Sequence, residues 1–146
     1  MTGLRRLGPE PFSADFSVDY LAQQLRKSHR SIKTALLDQS LVAGVGNIYA
    51  DEALFLSHIR PDTSCNQLTL VQIQDLKAAI VDVLQTSITA GGTTFSTFMS
   101  VQGINGNYGG EAWVYNRKGE PCRICSTPVQ RLKLAGRSTH FCSHCQ

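Results

Sequence analysis

Apolar residues recur at helical spacing in four stretches of this chain and alternate with polar ones in a fifth. Val18, Leu21, Ala22 and Leu25 lie three or four apart, and Ser17 stands where an N-cap belongs. Ile32, Ala35 and Leu36 predict a second, short helix from about Ser31, with Lys33 on another face. Ile48, Tyr49, Ala53 and Leu54 begin a third. The longest helix opens at Thr69, and Gln72 completes a capping box. Leu70, Ile73, Leu76, Ile80, Val83, Leu84 and Ile88 then form one apolar stripe, ended by Gly91 and Gly92. From Val129 the period changes to two: Val129, Leu132 and Leu134 are apolar, while Gln130, Arg131 and Lys133 are polar. Ala135, Gly136 and Arg137 signal a turn, and Ser138 to Phe141 form the returning arm of a hairpin. Ala112 to Tyr115 predict a strand leading into it.

These signals divide the chain into four parts. Residues 1–16, with Gly8, Pro9 and Pro11, form an extended linker, an opening that suggests something normally precedes it. Residues 17–98 are a helical domain. Residues 99–111 hold four of the twelve glycines and are a loop by composition. Residues 112–146 are a small hairpin module. The expected fold is mainly α with a C-terminal β-hairpin.

The hairpin is bracketed by cysteines. Cys122 and Cys125 form one Cys-x-x-Cys knuckle, Cys142 and Cys145 a second, and sixteen residues separate them. Four thiolates at this spacing match a closed, tetrahedral structural Zn²⁺ site. Disulfides need an oxidising compartment, and no secretory signal precedes these cysteines. The fifth cysteine, Cys65, reads as a spare thiol in a polar loop. A reducing compartment, the cytoplasm, is expected, and no apolar run approaches the roughly 18 residues of a membrane span.

Charge changes the picture at one end. The net charge is +3, but from Tyr115 onward six basic residues face one acid, whereas residues 1–114 hold eight basic and ten acidic. A basic, metal-clamped hairpin with Arg137 near its tip suggests a polyanion partner. A second feature points the same way. Gly44 and Gly46 bracket Val45, and Asn47 sits where the next helix needs its N-cap. A glycine-permitted close approach beside free N–H groups at a helix start suits phosphate. A plain capped turn is the local alternative; Arg26, Lys27, His29 and Arg30 just upstream favour phosphate.

These pieces coincide with a known family. The runs Leu7–Phe12 (LGPEPF), Leu36–Gln39 (LLDQ), Val42–Glu52 (VAGVGNIYADE), Gly91–Thr94 (GGTT), Arg117–Cys122 (RKGEPC) and Arg137–Cys142 (RSTHFC) resemble the bacterial formamidopyrimidine-DNA glycosylases. The resemblance covers nearly the whole chain. It implies the C-terminal half of such an enzyme: a helix–two-turns–helix domain, then a four-cysteine zinc finger with Cys122, Cys125, Cys142 and Cys145 as ligands. The family excises oxidised purines and cuts the strand by β,δ-elimination, so damaged double-stranded DNA is the implied partner. By position, Asn47 looks like the asparagine that hydrogen-bonds phosphates beside the lesion, and Lys33 like the lysine near the damaged nucleotide. His29 stands where a basic DNA contact is common. Arg137 looks like the hairpin-tip arginine that grips the backbone and serves δ-elimination. A guanidinium keeps its proton above about pH 12, so stabilising the leaving phosphate is the chemistry open to it.

The chain departs from the pattern at Ser96, where some members have lysine, and in the polar residues of the 99–111 loop, which resembles one that closes over a flipped base. The family's nucleophile, an N-terminal proline amine followed by glutamate on a β-sandwich, has no counterpart here, and Asp51 with Glu52 diverge on a helix. The chain is therefore expected to grip DNA, as a monomer, without excising a base alone, a missing N-terminal domain being a possible partner. Two other expectations stand beside this one. One is a stand-alone DNA-binding module. The other is a zinc-organised protein-interaction domain.

Overall fold

The computed structural model describes residues 7–91 and 112–146, and for residues 88–91 the backbone alone. Expectations placed on residues 1–6, on residues 92–94 and Ser96, and on the 99–111 loop lie outside it. Helices α1 (Val18–Arg26), α2 (Ile32–Leu36), α3 (Asn47–Leu56) and α4 (Leu70–Gly91) are followed by β1 (Gln130–Leu134) and β2 (Arg137–Phe141). A single 3₁₀ turn, Cys65–Gln67, precedes α4.

The helix starts follow the local chemistry. Ser17 Oγ accepts from Tyr20 N, and Ser31 Oγ from Thr34 N. Thr69 and Gln72 exchange hydrogen bonds of 2.9 and 3.1 Å, the reciprocal pair of a capping box. Leu21, Ala22 and Leu25 of α1, Ile32, Ala35 and Leu36 of α2, and Ile73, Leu76, Ile80 and Val83 of α4 meet around α3 in one core. The stripe of α4 begins at Ile73, because Leu70 in the first turn is 53% exposed. Eight consecutive residues of α3, Ile48–Phe55, are buried, so this helix is covered on every side. Its charged residues Asp51 and Glu52 face the hairpin module.

Three expectations change. Residues 7–16 are docked onto the helical domain: Gly8 N donates to Gln39 O (2.7 Å), Ala43 N to Pro9 O (3.0 Å), and Phe16 is fully buried. Cys65 is buried rather than loop-exposed, with its N–H bonded to Arg30 O, and burial pushes its thiol pKa up. Residues 112–115 do not form a strand. The N–H groups of Trp113, Val114 and Tyr115 all converge on the Glu52 carboxylate at 2.6, 2.9 and 3.0 Å. Successive N–H groups of a strand point to opposite sides, so three in a row cannot share one acceptor there.

The hairpin pairs Gln130 with Phe141 through to Leu134 with Arg137. Ala135 and Gly136, at φ 50° and 80°, are its two-residue turn. Arg137 is therefore the first residue of β2 and not part of the turn.

Candidate metal centre and nucleic-acid interface

The two knuckles bring four sulfurs together. The Sγ atoms of Cys122, Cys125, Cys142 and Cys145 all lie within 4.8 Å of one another, with Cys122 to Cys145 at 3.8 Å and Cys125 to Cys142 at 3.4 Å. Zinc–sulfur bonds of ~2.3 Å in a tetrahedron put sulfurs ~3.8 Å apart, so the cluster fits Zn²⁺. Each knuckle is braced by an N–H···S contact: Ile124 N to Cys122 Sγ and Cys145 N to Cys142 Sγ, both 3.4 Å. Hydrogen bonds from Thr127 hold the Cys125 thiol down to about 6, while burial pushes those of Cys142 and Cys145 up. A divalent cation lets all four ionise together. The metal's part is structural: it clamps the base of the hairpin.

α3 carries the module along its length. Asn47 Nδ2 donates to Ser138 O at 3.2 Å. Four residues on, Asp51 accepts from His140 N and contacts His140 Nδ1, both at 3.1 Å. Glu52 holds the 113–115 turn, Phe55 stacks on Trp113 with ring centroids 5.3 Å apart, and His58 Nδ1 meets Cys145 O at 3.2 Å. Gln146 Nε2 reaches Ile59 O at 2.9 Å.

At the start of α3 the cap is Gly46, not Asn47, and no side chain caps the helix. Asn47 is the first helical residue, and its amide bonds the hairpin instead of its own helix. Its Oδ1 is buried without a partner, an acceptor still available. Gly44 adopts φ +90°, with its N–H held by Gln39 Oε1 at 2.8 Å. The tight turn, the uncapped helix start and the hairpin tip thus meet.

Arg137 and Arg30 line one open cleft of about 470 Å³ with Thr34, Asp38 and Gln39. Arg30 pairs with Asp38 at 3.1 Å; Ser40 and Arg30 hold that carboxyl below its usual range against the effect of burial. In the sequence Arg30 counts only as part of a basic run. Its place in the cleft depends on Asp38, eight residues away across α2.

Lys33 is not at a surface. It is fully buried, with Nζ 2.7 Å from Asp51 Oδ1, 2.9 Å from Ser138 O and 3.0 Å from Thr139 Oγ1. Burial lowers its pKa, and the Asp51 carboxylate opposes that. Its ammonium is turned onto the hairpin, with all three donors engaged there and at Asp51. His29 is exposed in the α1–α2 connection, where Asn66 Nδ2 lies 2.8 Å from its Nδ1. Asp51 and Glu52 diverge as expected, one to Lys33 and His140, the other to the 113–115 turn. Neither they nor His140 carried a sequence signal for this role.

The basic count of the module overstates its free charge. Arg117 donates to Trp113 O and Pro121 O, both at 2.8 Å, and Arg123 lies 4.3 Å over the Trp113 ring. Arg131, Lys133 and Arg137 are the exposed cations of the two strands.

Residues 7–99 match the model of the formamidopyrimidine-DNA glycosylase H2TH domain, and residues 119–146 that of a zinc finger found in FPG and IleRS. A formamidopyrimidine-DNA glycosylase of Trichodesmium erythraeum is 66% identical over the full 146 residues, which cover 49% of that protein. One from Acaryochloris marina is 64% identical, with 51% of it covered. The chain thus spans about half the length of the curated relatives it matches. Among solved structures, MutM (Fpg) of Thermus thermophilus superposes with a TM-score of 0.85 at 43% identity, over 97% of this chain and 54% of that one. Lactococcus lactis Fpg bound non-covalently to AP-site DNA superposes at 0.84 and 43% identity, over 97% of this chain and 51% of that one.

Proposed function

The chain belongs to the formamidopyrimidine-DNA glycosylase family, and from that premise we propose that it is the DNA-gripping half of an enzyme that excises oxidised purines. The observation that carries this reading is the junction at Ser138, where the start of α3 and the tip of the zinc hairpin are bonded side by side. In it, the start of α3 after Gly46, which no side chain caps, and the Arg137 guanidinium hold neighbouring phosphates of a damaged duplex. Asn47, with one Nδ2–H bonded to Ser138 O, has its second for the same strand, and exposed His29 and Arg30 extend the contact. Such contacts fix register on the backbone without reading sequence. The zinc ion keeps the hairpin rigid while the backbone is held.

Base excision needs an amine that attacks the sugar C1′ and an acid that opens the ring. Among the described residues the cleft of Arg30 and Arg137 is lined by no amine, and Lys33 is locked in an ion pair. The nucleophile therefore belongs to the portion of the relatives that this chain does not span. Arg137 serves the later elimination by stabilising the leaving phosphate. The protein acts as a monomer in the cytoplasm, at the nucleoid; among the described residues no helix is long and apolar enough to cross a membrane.

The test joins this chain in frame to the N-terminal half of a relative and measures incision of a duplex carrying an oxidised purine. Lesion-dependent nicking is expected. A folded, zinc-loaded fusion that binds the duplex yet leaves it intact would favour a stand-alone binding module. One that binds no DNA at low salt would overturn the reading and point to a protein-interaction domain.

A further inference from the structure

We infer that Lys33 is a positioning residue for the DNA grip, acting through Arg137 and touching no phosphate itself. The inference rests on the DNA-gripping reading above.

A lysine ammonium has three N–H donors and no acceptor. Those of Lys33 have three partners at bonding distance: Asp51 Oδ1 at 2.7 Å, Ser138 O at 2.9 Å and Thr139 Oγ1 at 3.0 Å. No hydrogen is left for a phosphate, and the side chain is fully buried. What the ammonium holds is the backbone beside Arg137. The Thr139 hydroxyl that accepts from Lys33 donates in turn to Arg137 O at 3.2 Å. Ser138 O accepts from Lys33 and from Asn47 Nδ2 together. Lys33 thus reaches two successive carbonyls of β2, those of Arg137 and Ser138, one through the Thr139 hydroxyl and one directly. Asp51 fastens the next residue, His140, by its N–H. Consecutive hairpin residues are held by one buried ion pair rooted in α2 and α3.

The pair also shapes the field. Asp51 alone would place a buried negative charge near the hairpin tip and weaken the attraction of Arg137 for phosphate. Opposed by Lys33, it leaves the guanidinium uncompensated. Charge is cancelled inside so that it stands alone outside.

A double-mutant cycle tests this, reading Kd for an abasic-analogue duplex across a salt series. Lys33→Met is expected to weaken binding about tenfold, the size of one charge-assisted hydrogen bond. The slope of log K against log salt should fall by about 0.9, one phosphate contact. In an Arg137→Ala background the same change should alter Kd less than about twofold, because the group it positions is gone. Thr139→Val removes only the relaying hydroxyl, keeps the ion pair, and should cost about threefold, again only when Arg137 is present. It carries the test if Lys33→Met fails to fold; zinc content and thermal melting identify that case. Equal losses in both backgrounds, or no loss from either variant, overturn the inference. If the unsubstituted chain binds no duplex at low salt, the gripping reading itself has failed. The ¹⁵N Nε–H resonance of Arg137 then decides positioning without DNA. It should shift in Lys33→Met and Thr139→Val, and an unmoved resonance sinks the idea.

Discussion

Glu52 is the buried group on which the junction between helices and zinc module depends most directly. Its carboxylate is fully buried and accepts the N–H groups of Trp113, Val114 and Tyr115. Two effects oppose each other there. Burial pushes its pKa up from 4.5 to about 7, and the three backbone donors pull it down without prevailing. A carboxyl with a raised folded pKa binds its proton more tightly in the native state. The stability it contributes is therefore complete below 4.5 and is lost as pH rises through about 7. Between about pH 5.5 and 7.5 the native state should lose about 2 kcal/mol on this account, since one pKa unit is worth about 1.4 kcal/mol. Glu52→Gln keeps the shape, loses the titration, and sets an amide N–H₂ against at least one backbone N–H. Urea denaturation of both proteins, zinc-loaded, across that window gives the comparison, and their difference cancels the titration of everything else. Wild-type stability should decline relative to Glu52→Gln as pH rises. A difference that grows in favour of wild type would show that the three N–H donors outweigh burial and that the carboxylate is ionised throughout. A flat difference would mean that Glu52 does not titrate in this range.

Arg137→Glu should weaken duplex binding and reduce the salt slope by about 0.9 or more; an unchanged slope removes this residue from the grip. Metal analysis should return one zinc per chain, and Cys142→Ser should lose it and unravel β1 and β2. Circular dichroism should then retain most helical signal, since the main core is built from α1 to α4. Gly8→Ala should destabilise by about 1–3 kcal/mol in a urea melt. A methyl group at Gly8 would sit 2.6 Å from the carbonyl oxygens of Ser40 and Leu41, backbone atoms that cannot rotate away. Unchanged stability there would mean that residues 7–16 do not dock in solution.

Local chemistry made the cysteine spacing, the caps at Ser17 and Ser31, the Thr69–Gln72 box and the hairpin legible, because each is decided within a few residues. Lys33, Asp51 and Glu52 were not. A charged residue on a helix normally belongs in water, and what buries these three lies between 61 and 106 positions away in the chain. No periodicity encodes a partner at that distance. Ala112 to Tyr115 mislead for the same reason: the apolar residues suit a strand, but a distant carboxylate captures their N–H groups. Asn47 reads as a cap because its residue type prefers one, yet Gly46 takes the position while the amide goes to Ser138. The helical core and metal site are thus readable locally, while the joint between them is not.

Because Asn47, Asp51, Glu52 and Phe55 of α3, and His58 just beyond its end, all fasten the module, the finger is not an interchangeable cassette. Transplanting residues 112–146 onto another helical scaffold would keep the metal chemistry and misplace the guanidinium. A working chimera must move α3 and Lys33 of α2 together with the zinc-binding segment, so the smallest portable unit for an engineer is larger than the sequence motif that advertises it.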